Sequence, residues 1–180
     1  MWTLARRTEQ DVKRAQWIGF VVVGFVGVDA RAEPFGEIPN ALAITKSGNK
    51  NEVHYAVRVD GACMPSGRAP VRPYWQMLER SNDATEGLSS LEERALGIDH
   101  QAVEGDSVRF ALRGMPGRLI TVRTARHGDG ACGAVVQMSI AGESARVSSV
   151  YVKQKLFGVD YIALSGTAAD GRLVREIIKP

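Results

Sequence analysis

The sequence has little with which to stay in a membrane. Its longest apolar run, Trp17 to Val28 (WIGFVVVGFVGV), would span about 18 Å as a helix, against a hydrocarbon core of about 30 Å. A stable membrane anchor is therefore not expected. Cysteine is scarce, with two residues in the whole chain. No CxxC motif exists, so thiol–disulfide catalysis is not expected. The three histidines, His54, His100 and His127, stand in neither HxH nor HExxH spacing. A metal site would have to be assembled by the fold, and none is expected. There is no GxSxG elbow, P-loop or dinucleotide fingerprint, so no catalytic residue and no cofactor is assigned. Repeats and low-complexity tracts are missing as well.

The apolar run reads as an address. Arg6, Arg7, Lys13 and Arg14 precede it, and Ala30-Arg31-Ala32 follows as a small-x-small cleavage site. Together these predict a secretory signal peptide over residues 1–32. The mature part, Glu33 to Pro180, has 148 residues and suits one domain with its own core. The leader holds five of the 23 basic residues and three of the 20 acidic ones, which leaves 18 basic and 17 acidic in the mature part. A net charge of +1 gives no concentrated basic surface, so no nucleic-acid partner is expected. The protein is expected to be exported, to the periplasm or beyond the cell. In that setting Cys63 and Cys132 are expected to pair, the alternative being two buried thiols.

Period-two alternation dominates the mature chain. In Asn51 to Asp60, Val53, Tyr55, Val57 and Val59 share one face; Glu52, His54, Ala56 and Arg58 take the other, where His54 is expected to be solvated. Residues 33–40 read as an extended lead-in and Ala41 to Thr45 as a first short strand. A second extended segment runs from Val71 to Leu78, after a loop with Gly61, Cys63, Pro65 and Gly67. Glu79 to Leu88 reads as a polar surface loop. Ser89 to Leu96 is the one short helix: Ser89 with Glu92, and Ser90 with Glu93, each fit a capping box, and Gly97 fits the stop. Leu88, Leu91 and Ala95 form its expected docking face. From Gln101 onward the chain reads as β, with a bulge at Ser148-Ser149 where the inward phase passes from Val147 to Val150. The sum is an all-β, mainly antiparallel fold, a small β-sandwich or β-barrel of about eight strands with one short helix.

Two groups of residues invite a surface reading. Tyr74 and Trp75 are adjacent on a strand and point to opposite faces, so one is expected in the core and the other on the surface or in a cleft. They form either a ligand platform or a packing anchor. Arg109, Arg113 and Arg123 share the polar face of the expected hairpin between Val108 and Arg123. They could hold a carboxylate, a phosphate or an acidic glycan, or form a solvated outer face.

The run Asn49-Lys50-Asn51-Glu52-Val53-His54-Tyr55, then Pro70-Val71-Arg72-Pro73-Tyr74-Trp75, then a helix with Leu91, Arg94 and Gly97, resembles the bacterial exported family catalogued as domain of unknown function 4833. Val150-Tyr151-Val152 and Val159-Asp160-Tyr161-Ile162 are similar too. The resemblance covers about Ala41 to Pro180 and implies no activity, cofactor or catalytic residue. Three functions remain open: a non-enzymatic β-domain that binds a small ligand or an envelope protein, a secreted hydrolase built on His127 and Asp129 or on His54, and a structural module of an envelope assembly.

Overall fold

The computed structural model describes residues 36–80, 84–156 and 158–179. The expected signal peptide and its cleavage point lie outside them. Eleven strands and one helix follow in chain order: β1 (Gly36–Lys46), β2 (Glu52–Val59), β3 (Val71–Met77), β4 (Ala84–Glu86), α1 (Ser90–Leu96), β5 (Ile98–Glu104), β6 (Ser107–Leu112), β7 (Leu119–Arg126), β8 (Cys132–Ile140), β9 (Glu143–Lys155), β10 (Gly158–Ala168) and β11 (Leu173–Ile178).

The alternation of β2 becomes burial: Val53, Tyr55, Val57 and Val59 are all in the core. His54 departs from expectation. Its side chain is only 12% exposed, because it lies beside Tyr74 and bonds Glu52 at 2.8 Å. The lead-in also departs, since β1 begins at Gly36 and pairs with β2 from there. Pro39, which has no N–H for a ladder, falls in the irregular stretch between Ile38 and Leu42 where the register shifts. The loop over Glu79 to Leu88 contains the three-residue β4, which pairs Glu86 with Trp75. The bulge at Ser148 is present: β10 pairs Ser165 with Ser149 but Gly166 with Val147, leaving Ser148 over.

All the strands belong to one mixed sheet, ordered β4-β3-β2-β1-β9-β8-β7-β6-β5, with β10 and β11 branching off β9. Every ladder is antiparallel except β1–β9, which runs parallel over Ile44↔Val150, Thr45↔Tyr151 and Lys46↔Val152. The long strand β9 is the fork. Its first half carries β8, its second half carries β1, and β10 runs along both. The two arms fold back on each other, so that Tyr55 of β2 stacks on Phe110 of β6 at 5.9 Å between ring centroids. The sheet does not close into a barrel. At its far ends the Gln101 amide spans the gap instead, accepting from Val71 N–H at 2.8 Å and donating to Val71 C=O at 3.3 Å.

Cys63 and Cys132 form a disulfide, with Cα atoms 5.4 Å apart. It ties the β2–β3 loop to the start of β8. Thr124 Oγ1 donates to Cys63 C=O at 2.6 Å and fixes the same loop from β7.

Candidate functional site

The site is built by a row of residues that face each other across five strands. Glu86, Trp75, Val53, Ile44 and Val150 are successive ladder partners from β4 through β3, β2 and β1 to β9. Direct partners share a face, so this row lies on the inner side of the sheet. One pleat further on, a second row runs Lys46, Val152, Ile162 across β1, β9 and β10. Helix α1 lies over both rows.

A seven-residue helix cannot hold itself together, so α1 must be fixed from outside. Its N-terminus uses the Ser89–Glu92 capping box: Ser89 Oγ accepts from Glu92 N–H, and Ser89 N–H donates to the Glu92 carboxylate at 2.8 Å. The Trp75 indole N–H and the Lys46 charge act on the same carboxylate electrostatically. At the other end the Tyr55 hydroxyl donates to Leu96 C=O at 2.7 Å, Gly114 N–H to Ala95 C=O at 2.8 Å and Arg113 N–H to Gly97 C=O at 3.0 Å. Burial raises the Tyr55 pKa far above its ordinary value, with the Glu93 charge adding to it, so the hydroxyl stays a donor. Gly97 stops the helix by close approach and not by a left-handed turn: its backbone is extended, and a Cβ there would lie 2.3 Å from Glu93 C=O.

This docking corrects the expected apolar face. Leu91 is 72% exposed and Ala95 is exposed, while Leu88 and Leu96 pack on the core. The helix is attached through the carbonyls of its last turn, so its contact side is set by Tyr55 and Gly114 and not by an apolar stripe.

Between helix and sheet lie three adjoining spaces. An apolar chamber of about 260 Å³ is walled chiefly by Ile44, Leu96, Leu112, Met115, Val159 and Ile162. A polar cleft of about 340 Å³ is lined by Lys46, Asn49, Asn51, Trp75, Ser89 and Glu92, among others. A small void of about 70 Å³ shares Ile44, Leu96 and Val152 with the chamber and Lys46, Trp75 and Glu92 with the cleft. The three adjoin along the inner face, apolar at one end and polar at the other, and are called the groove below.

The charges of the polar end are unevenly committed. Partial burial pushes the Glu92 carboxyl up, but the Ser89 N–H and hydroxyl, the Trp75 N–H and the Lys46 charge outweigh it and hold the group below the ordinary carboxylate range. Glu86 is paired with Arg80. Lys46 sits 4.2 Å over the Trp75 ring and has no ion-pair partner among the described residues.

The residues singled out in the sequence are dispersed. Trp75 belongs to the groove. Tyr74 is on the opposite face of β3, where its hydroxyl donates to Pro39 C=O at 2.7 Å and Arg72 lies 5.5 Å from its ring. Both are buried, so neither presents an open ring face. Arg109 pairs with Glu104, and Arg123 with Asp106 at 3.5 Å; Arg113 stands just past β6. His54 pairs with Glu52 and His100 with Asp99. The His127 ring packs against Gly133, where a Cβ would lie 1.8 Å from Nε2, and the Asp129 carboxylate caps the Ala131 N–H in its own turn. Among the described residues no three His, Cys, Asp or Glu side chains group as a metal site would require. Lys46 and Glu92 carry the groove's charge, and the sequence reading passed them over. The signal for Lys46 was its phase, two residues beyond inward-facing Ile44 on β1.

Fold and groove define an all-β domain with a forked, open sheet and a helix-roofed cavity. Residues 42–176 match the family described as Domain of unknown function (DUF4833), and the chain belongs to that family. No curated protein and no solved structure matches it.

Proposed function

We propose that this protein is an exported, non-enzymatic β-domain that binds a small, largely apolar ligand in the groove beneath α1. The observation that carries the reading is the 260 Å³ chamber, walled almost wholly by aliphatic side chains and adjoined by a polar cleft. Apolar walls with a few convergent polar groups are the usual make-up of a ligand site, and the chamber with its adjoining cleft falls within the usual size of about 300–1,000 Å³. The disulfide suits an oxidising compartment, which supports export. Among the described residues no helix is long and apolar enough to cross a membrane.

Native mass spectrometry of the protein purified gently from the periplasm tests both parts. The expected spectrum shows a chain that begins at Glu33, has lost two hydrogens to the disulfide, and carries a discrete adduct that disappears on denaturation. A bare chain that also fails to take up any alkyl compound refutes the binding reading. A chain that keeps Met1 and remains in the cytoplasm refutes export.

A further inference from the structure

We infer that the ligand is a single-chain amphiphile with an anionic head, a fatty-acid-like molecule whose carboxylate meets Lys46. The inference rests on the groove reading above and names what the groove takes.

The head follows from which polar groups are already committed. Glu92 is held by Ser89, with the Lys46 charge acting on it from beyond ion-pair distance, and Glu86 by Arg80. Asn49 uses its carbonyl oxygen to accept from Asn51 N–H at 3.2 Å, and Asn51 uses its own to accept from Glu79 N–H at 3.2 Å. What remains toward the cleft is a set of donors: the Lys46 ammonium and the amide NH2 groups of Asn49 and Asn51, which have no acceptor among the described residues. One cation with two neutral donors suits a single negative charge.

The tail follows from the row Lys46, Val152, Ile162. Neighbouring strands are about 4.8 Å apart, so Ile162 lies roughly 10 Å from Lys46 across the inner face. Over that distance the wall passes from the charged end to the aliphatic chamber, through the void shared by Ile44, Leu96 and Val152. An alkyl chain of medium length fits that track, and a bulky or wholly polar solute does not.

The test is titration calorimetry of the protein purified from the periplasm with decanoate, decanol, decyltrimethylammonium and acetate. Decanoate is expected to bind about fivefold more tightly than decanol, the gain from one partly exposed charge pair. Decyltrimethylammonium is expected to bind more weakly than decanol, and acetate not at all. Lys46→Met should bring decanoate to the level of decanol and leave decanol unchanged, while Lys46→Arg should keep the preference. Val159→Trp, which narrows the chamber, should weaken the binding of every alkyl compound. Equal affinity for decanoate and decanol in the parent, or a preference for the cation, overturns the anionic head and leaves the groove reading standing. If no alkyl compound binds, or if Val159→Trp leaves alkyl binding unchanged, the groove reading falls with it.

Discussion

Removing the disulfide should destabilise the protein strongly and leave its native structure and its groove intact. The perturbation is the double variant Cys63→Ala/Cys132→Ala. The bridge spans a sequence separation of 69 residues. In the chain-entropy account, closing a loop of that length stabilises by about 4 kcal/mol, through the unfolded ensemble. The folded loop has other anchors. Asp60 Oδ1 accepts the Ala62 and Met64 N–H groups at 2.9 Å, Arg126 donates to Gly61 C=O, and Thr124 holds Cys63 C=O. These hold the loop in the native state whether or not the bridge exists. With a urea dependence of roughly 2 kcal/mol per molar, the unfolding midpoint should fall by about 2 M. For a domain stable by roughly 5–15 kcal/mol, that leaves a folded but fragile protein. The bridge follows the Val59 end of β2, and the groove lies at the Val53 end, about 20 Å away along the strand. Alkyl binding should therefore be unchanged under native conditions. Urea melts followed by circular dichroism, with the native spectrum recorded beforehand, decide the matter. A midpoint shift under about 0.5 M would refute the unfolded-state argument, and a changed native spectrum would show that the three side-chain anchors do not suffice.

Three further outcomes follow from single contacts. Tyr55→Phe removes the donor to Leu96 C=O and should cost about 1–3 kcal/mol in thermal or urea unfolding, with α1 the first element to lose amide protection in hydrogen exchange; a neutral effect would mean that the helix is held elsewhere. Gly114→Ala sets a Cβ 2.5 Å from Ala95 C=O, backbone against backbone, and should cost about 1–3 kcal/mol despite the entropy it removes from the unfolded chain, as a melt would register. The Arg118 guanidinium and then the Ala141 N–H hold the Glu176 carboxyl below its ordinary value of 4.5, so its stabilisation is complete above that value and is lost as pH falls through the depressed folded pKa. Glu176→Gln should therefore destabilise at neutral pH, and the gap to the parent should close in acid; a gap independent of pH would sink this account.

What could be read from the sequence was local. The strand phase of Val53 to Val59, the capping box of Ser89 and Glu92 and the extra residue at Ser148 each depend on neighbours a few positions away, and each is present. What could not be read was set by pairing between distant segments. The parallel contact of β1 with β9 joins residues 106 positions apart, and no feature of Ile44 or Val150 announces it. Three-residue β4 is a strand only because β3 offers it an edge. His54 looks like an outer-face residue on β2 and becomes half-buried because Tyr74 packs beside it. The same limit applies to the groove. Trp75 stands out in any reading, but Lys46 and Glu92 look like ordinary surface charges until the β1–β9 ladder and α1 bring them to the same indole ring.

The groove itself follows from the fork. Strand β9 gives one edge first to β8 and then to β1, so the two arms diverge where that change occurs. Ile44, Val150, Val152 and Ile162 line the chamber at that divergence. A helix of two turns, tied down by backbone carbonyls, roofs the opening without filling it. The chamber leaves part of this apolar wall without a packing partner, at a cost in lost burial. An alkyl chain in the chamber removes much of that cost, and so does a large side chain. Saturating decanoate should accordingly raise the melting temperature of the parent, and Val159→Trp should gain less from decanoate than the parent does. If decanoate raises both proteins equally, it acts away from the chamber. If it raises neither, the chamber is a packing defect that the fold tolerates.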